Sequence, residues 1–281
     1  MMIELSKSLA GGYTPYEVRT RFASIYRGVR APAGLDVELK QRVDALLTLF
    51  PDAVVGGWTA ARLHRVPYAA GHPPEIVLPR RRPRDNVVMR HEALPDSDIV
   101  VVRGYRCTSP ERTAADLAWH LPKDRAIAAV DQCVRRLHDG SQVTTVDAIR
   151  RFVDESRYFH RGAVIHDVLD EVDGRAESFW ETYARLLLHR NGLDLFVPQI
   201  HVLGDRFRVD LGAGEYRVAV EYDGAHHRDG PQHARDIDRW NALQQDADWE
   251  LIPACKTTIA YHGDQLLHRV RNALRRRGWP G

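Results

Sequence analysis

Cysteine is scarce in this 281-residue chain: Cys107, Cys133 and Cys255 are far apart and odd in number. That excludes a readable disulfide framework and any CxxC metal knuckle. No apolar run approaches the ~20 residues that cross a bilayer. Residues 1–13 lack the continuous apolar stretch and cleavage site of a secretory signal. No segment repeats and none is low in complexity. A cytoplasmic protein with no membrane association is therefore expected. Lysine is nearly absent too. Lys7, Lys40, Lys123 and Lys256 are the only four, so arginine supplies 36 of the 40 basic residues. Arginine holds phosphate bidentately and stacks on bases, which suits nucleic acid. A GC-rich genome produces the same bias, so composition does not localise a binding face.

What is present suffices for packed cores: 44% hydrophobic and 28% charged residues, with a net charge of +2. The length fits one large domain or two ordinary ones. In the first half, Val37, Leu39, Val43, Leu46, Leu47 and Phe50 recur at helical spacing, and Gly57 to Val66 forms a second short helix. Glu75 to Leu78, Asn86 to Arg90 and Asp98 to Tyr105 are rich in Val and Ile and bounded by Pro, Arg and Asp, as strands are. Helices follow over Pro110 to Trp119 and Lys123 to Leu137, then from Thr145. Ser109 before Pro110 fits a helix cap with proline at the first helical position. After a helical piece at Ala163 to Leu169, the turn Asp173-Gly174 marks a boundary.

The second half has a different order. An amphipathic helix over Ser178 to His189 precedes strands at Leu195 to His201, Phe207 to Leu211 and Tyr216 to Tyr222. A helix at Pro231 to Asp246, a strand at Trp249 to Pro253 and a helix at Asp264 to Arg277 complete it. This order describes a mixed sheet with helices on its faces.

Polar residues inside these apolar elements carry the chemistry. Asp210 lies in one strand, and Glu221 and Asp223 in the next, where two-residue spacing puts both carboxylates on one face. Carboxylates beside a core are costly unless paired or metal-bound. Oxygen donors converging on a point suit Mg²⁺ or Mn²⁺, and such an ion can drive phosphodiester hydrolysis. The alternative is that these acids are solvated or pair with Arg206, Arg208 and Arg217. Glu181 also has two readings. With Ser178 it forms a capping box, or it, or Glu177 a turn earlier, faces the site. His226, His227 and His233 have no cysteine near them, which argues against structural zinc. His227 is then a proton shuttle, a phosphate contact or a surface residue. Arg80 to Arg84 is either a phosphate-contacting loop or a solvated basic turn.

Glu181 with Leu186 to Leu188, Arg208-Val-Asp210, Val220 to Gly224 with His227, Arg235-Asp236 and Asp248 to Ile252 occur in that order. This pattern, over about Ala176 to Gly278, resembles a bacterial domain of unknown function related to the very-short-patch-repair endonucleases of the PD-(D/E)xK superfamily. The resemblance implies an acidic core at Glu181, Asp210 and Glu221, with Asp210 and Glu221 holding Mg²⁺ or Mn²⁺. The superfamily's lysine is replaced by Asp223, which moves its duty to His227 or Arg235 or signals weakened catalysis. Arg235 and Arg239 are the candidate nucleic-acid contacts. In the first half, Tyr26 to Val29, Trp58 to His64, the Glu75 to Leu78 strand and Thr108 to Asp116 resemble AbiEi antitoxin-like transcriptional regulators over about Tyr13 to Val153. In that family a winged helix-turn-helix precedes the Arg-Gly-Val stretch. Only about 25 residues precede it here, so the resemblance implies a truncated or absent DNA-reading module.

The expected fold is α/β: an AbiEi-like α/β domain over 1–155, a connecting segment 156–174, and a PD-(D/E)xK nuclease-like mixed sheet flanked by helices over 175–281. The leading expected function is a metal-dependent DNA endonuclease or nicking enzyme. The rivals are a non-catalytic DNA-binding regulator and an antitoxin-like protein that meets a protein partner through its first half.

Overall fold

The computed structural model describes residues 3–4, 12–80, 85–137, 139–159, 162–223 and 238–281. By contacts the chain divides into two compact units, residues 1–116 and 117–281. It is a mixed α/β structure with three sheets among the described residues.

In the first unit, β1 (Ile3–Glu4), β2 (Phe22–Tyr26) and β3 (Val29–Pro32) form an antiparallel sheet in the order β1-β3-β2. Helix α1 (Pro15–Arg21) leads straight into β2. Thr14 caps it reciprocally. The Glu17 N–H donates to Thr14 Oγ1 (3.2 Å), and the Thr14 N–H donates to Glu17 Oε2 (2.9 Å). Pro15 follows at the first helical position, where its missing N–H costs nothing. Gly28, at φ +103°, makes the turn between β2 and β3. The short stretch before Arg27-Gly28-Val29 thus holds a helix and the first strand of a hairpin, and Arg27-Gly28 is that hairpin's turn.

The second sheet has five strands in the order β6-β5-β4-β8-β7: β4 (Val54–Val55), β5 (Glu75–Leu78), β6 (Val88–His91), β7 (Ile99–Val102) and β8 (Tyr105–Thr108). Pairs β5–β6 and β4–β8 are parallel, while β4–β5 and β7–β8 are antiparallel. The single strand expected over Asp98 to Tyr105 is instead a hairpin. Arg103 (φ 52°) and Gly104 (φ 84°) form its two-residue turn. So tight a turn, followed by the mixed strand Tyr105–Thr108 rather than a second Val/Ile run, is why the sequence pattern hid it.

Helix α2 (Leu39–Leu49) packs Leu46 with Tyr26, Phe50 and Ile76, and Val43 with Val55 and Cys107. Burying Leu46 alone is worth ~1.5–3 kcal/mol. Helix α3 (Gly57–Leu63) starts where a side chain would collide with Glu75, whose carboxylate accepts the Trp58 N–H (3.2 Å) and pairs with Arg90. Ser109 caps α4 (Pro110–His120), as its spacing suggested, accepting the Arg112 N–H at 3.1 Å.

The second unit contains helices α5 (Lys123–Val134), α6 (Val146–Glu155), α7 (Ala163–Leu169) and α8 (Phe179–His189). Strands β9 (Val197–Val202), β10 (Phe207–Ala213), β11 (Val218–Tyr222) and β12 (Glu250–Ala254) make a sheet in the order β12-β11-β10-β9. Only β11–β12 is parallel, so the sheet is mixed as the element order suggested. One face packs on α8 through Ala184 and Leu188, and on α10 (Gly263–Arg276) through Leu266 and Val270. The other face, with Val209, Ala219 and Leu251, packs on Leu243 and Trp249. The expected helix at 231–246 is described only from 238, and it ends in a wider π-type turn at Ala242–Asp246. Helix α9 (Lys256–Tyr261) was not anticipated, because it buries only Ile259 and so has no apolar stripe.

The segment expected to connect the two halves is packed. Helix α7 lies against α5, and α5 lies against α8. Buried Asp131 on α5 accepts the Asp173 N–H (2.7 Å), the Thr182 hydroxyl (2.7 Å) and Arg185 Nη2 (3.1 Å). These bonds tie the Asp173-Gly174 turn and α8 to α5, and the second unit accordingly begins at Leu117.

Candidate functional site

Glu181, Asp210 and Glu221 come from three separate elements. Ser178 caps α8, accepting the Glu181 N–H at 3.2 Å. The reciprocal half of the expected capping box is absent. The Glu181 carboxylate passes the cap and accepts the Glu177 N–H (2.7 Å) and Gln199 Nε2 (3.0 Å), both on Oε2. Glu177 turns away to pair with Arg208 (3.0 Å).

The β10–β11 register sets Leu211 opposite Val220, so the next step brings Asp210 opposite Glu221. There each side chain bonds the other strand's backbone. The Asp210 N–H donates to Glu221 Oε1 (3.0 Å), and the Tyr222 N–H donates to Asp210 Oδ2 (2.8 Å). The pleat also reverses at this point: Val209 faces one core and Leu211 the other. Opposite Asp210 on β9 is Gln199, an amide residue at φ 57° in mid-strand. Strained backbone of this kind concentrates at functional positions. Sequence reasoning missed Gln199, since only the register and its backbone angle reveal it.

The electrostatics follow from burial. Glu181 and Glu221 are buried and Asp210 half-buried. Burial, and then the Asp210 charge, push the Glu181 carboxyl up to about 7, against the hydrogen bonds it accepts. Burial also raises the Asp210 and Glu221 carboxyls as a coupled pair. Arg239 opposes the shift, donating Nη2 to Glu221 Oε2 (2.6 Å) and to the Arg208 carbonyl (2.6 Å). The local arginines first considered as partners sit elsewhere: Arg208 on Glu177, Arg217 on Asp248, and Arg206 over the Phe207 ring.

A hard divalent cation suits this donor set chemically. Asp210 Oδ1 accepts no hydrogen bond among the described residues, whereas both Glu221 oxygens are engaged and the Glu181 carboxyl is bonded by the Glu177 N–H, Gln199 and the Ser178 hydroxyl. Asp210 therefore offers an open oxygen, Glu181 offers one where the Ser178 hydroxyl turns away, and Glu221 joins them only if Arg239 lets go. No group of three or more His, Cys, Asp or Glu is already arranged as a metal cage among the described residues. Asp223 is exposed. Its N–H extends the β11–β12 ladder to the Ala254 carbonyl (2.8 Å), and its charge acts on the Cys255 thiol. His227 and Arg235, with His226, His233 and residues 81–84 of the basic cluster, lie outside the described residues.

Comparison with known proteins addresses the other end of the chain. Residues 54–161 match the AbiEi antitoxin C-terminal domain. The chain is also similar to two uncharacterized Mycobacterium tuberculosis proteins, MT2308 (strain CDC 1551 / Oshkosh) and Rv2248 (strain ATCC 25618 / H37Rv). Each is 30% identical over 179 residues, which is 62% of this chain. The match spans 64% of the length of each relative. Among solved structures, the RV2827C protein of M. tuberculosis aligns with a TM-score of 0.41 at 16% identity, over 66% of this chain and 75% of that one.

The AbiEi-matched region holds its own buried polar cluster. Arg112, fully buried on α4, donates Nη1 to Asp98 (2.9 Å), Nε to Asp116 (2.9 Å) and Nη2 to Glu92. Asp116 Oδ2 is buried and accepts no hydrogen bond among the described residues. Burial pushes the Asp116 carboxyl up to about 7 despite the Arg112 charge beside it. One arginine thus holds together three acids inside an apolar unit, a structural role that the spacing of Thr108 to Asp116 did not disclose.

Proposed function

We propose that this chain is a DNA-binding regulator of the antitoxin type. The observation that carries this reading is the match of residues 54–161 to the AbiEi antitoxin C-terminal domain. The elements ahead of it support the reading. Helix α1 exposes Tyr16, Arg19 and Thr20 and leads into a hairpin whose turn exposes Arg27. A helix followed by a basic hairpin can fill a groove and grip the flanking phosphates. The second unit, or a protein partner on the first, would complete its action inside the cytoplasm. The test is fluorescence-anisotropy binding to the duplex upstream of its own coding sequence, against scrambled duplex. Expected is a preference of about 10³-fold, with Arg19→Ala and Arg27→Ala each weakening binding and flattening its salt dependence by about one charge. Equal affinity for both duplexes removes the regulator reading.

One observation favours a second reading, a metal-dependent phosphodiesterase of the PD-(D/E)xK kind. Three carboxylates, from a helix and two neighbouring strands, act electrostatically on one another in a mixed sheet flanked by helices. Mg²⁺ or Mn²⁺ held by Asp210 and Glu181, and by Glu221 once Arg239 is released, would polarise a phosphodiester and make a bound water acidic. Gln199 and the Glu177 N–H would keep Glu181 turned to the ion, and Arg239, freed from Glu221, would meet the phosphate. Nicking of supercoiled plasmid with Mg²⁺ or Mn²⁺ against EDTA tests this, with Asp210→Ala as control. Cutting that survives Asp210→Ala, or no cutting at all, eliminates it.

A further inference from the structure

Strand β7 closes one side of the five-stranded sheet and pairs only with β8 among the described residues. Its sequence, Ile99-Val100-Val101-Val102, is four β-branched residues with no charge and no proline. Soluble proteins ordinarily protect a sheet edge with Lys, Pro, a bulge or a covering element. Val101 is 71% exposed, so no described residue of the first unit covers it. The opposite edge, β6, differs in carrying Arg90 and His91.

Charge identifies the occupant. Asp96 and Ser97 are exposed just before the strand, and Arg103 is exposed just after it. Neither Asp96 nor Arg103 makes an ion pair among the described residues. The strand is therefore acidic at its start and basic at its end. An antiparallel copy of itself presents the reverse order, so each acidic end meets a basic one.

The hydrogen-bond phase agrees. Arg103-Gly104 is a two-residue turn closed by Val102 and Tyr105, so Val102 and Val100 direct their backbone groups to β8. Ile99 and Val101 then direct theirs outward. Pairing Ile99 of one copy with Val101 of the other satisfies both, centres the two-fold axis on Val100, and brings the Arg103 turn of each copy to the end where the other's 3-10 turn at Asp96–Asp98 enters the strand.

We propose that the β7 edge is a homodimer interface, where two copies of the chain join their five-stranded sheets into one antiparallel sheet across a two-fold axis. An isologous contact of this kind closes on itself and stops at two. Four residues a side make a small interface, which belongs with the weak, reversible class.

Sedimentation equilibrium of the full chain from about 1 to 200 µM tests this. Expected for the wild type is a monomer–dimer equilibrium with a Kd of about 10–100 µM, in the range of small interfaces. Val101→Lys should remain monomeric throughout. Asp96→Arg and Arg103→Asp should each weaken self-association about tenfold, because like charges then face each other. Arg103→Asp keeps the turn, since Asp-Gly suits it. Mixing these two variants should restore dimers, as heterodimers, because both facing pairs are then opposite in charge. A monomeric wild type at 200 µM, a Val101→Lys protein that dimerises like wild type, open-ended aggregation, or a mixture that fails to recover overturns the proposal.

Discussion

Replacing Arg112 by methionine removes the cation that pairs with Glu92, Asp98 and Asp116 together in a site with almost no access to water. Methionine fills much of the same volume, so the effect isolates the charge. Leaving carboxylates buried without their partner costs ~3–5 kcal/mol, as measured for broken buried ion pairs. In a unit of this size that lowers Tm by ~10–20 °C. The loss should depend on pH, with the following sign. The folded-state pKa of Asp116 is already raised, to about 7. Between the unfolded value near 4 and that folded value, the folded chain holds a proton that the unfolded chain releases. Stability contributed by this group is therefore complete below pH ~4 and declines as pH rises toward 7. Without Arg112 the Asp116 carboxyl loses the charge that opposes its upward shift, so the variant's deficit should be largest above pH 7 and shrink near pH 5. Urea unfolding at pH 5, 7 and 8, with amide exchange at Ile76 and Cys107 to localise it, measures this. An Arg112→Met protein within ~1 kcal/mol of wild type at pH 8 would refute the reasoning, since ordinary surface changes fall in that range.

Glu181 follows the same linkage in the second unit. Its folded pKa of about 7 means wild type should lose stability relative to Glu181→Gln as pH rises from ~4.5 to 7, and Mn²⁺ should cancel that loss if the site holds the ion. Gln199→Asn keeps an amide and tolerates φ above zero but is too short to reach Glu181. Urea unfolding should show unchanged or greater stability, while calorimetry shows Mn²⁺ affinity down ~10–100-fold, as for other outer-shell partners. Equal Mn²⁺ binding by the two proteins would count against Gln199 as a support. Asp223→Lys, at an exposed position, should change stability by less than ~0.5 kcal/mol. In the nicking assay it should leave any divalent-dependent cutting equal or higher, and loss of cutting would make Asp223 a ligand.

Regular elements were legible where periodicity was strong. Glu75–Leu78 and Ala163–Leu169 stand at the expected residues, and α8 begins right after its predicted cap. The hairpin hidden in Asp98 to Tyr105 was not legible, because its second strand, Tyr105–Thr108, is short and has no Val or Ile to mark it as a separate element. Helix α1 escaped because its seven residues bury only Val18. In the site, the strand pattern put Asp210 and Glu221 on neighbouring strands, but it could not supply a register. Register is what faces Asp210 with Glu221 and Gln199. Arg239, expected to contact nucleic acid, sits on Glu221, a long-range pairing that no local spacing encodes. The Asp131 cluster shows the same limit. Its partners lie 42 to 54 residues away, and the turn signal at Asp173-Gly174 resembled a linker although it is anchored.

That anchor bears on how such a chain can be cut and rejoined over evolutionary time. A cassette beginning near residue 175 would leave with Thr182 and Arg185 but without Asp131, stranding a buried guanidinium with no counter-charge at a cost of ~3–5 kcal/mol. A recipient would have to supply an acid at the matching place on a neighbouring helix. Recombination that carries α5 along with α8 escapes this penalty. The heritable module is therefore longer than the sheet and its acids, and its natural seam lies ahead of Asp131.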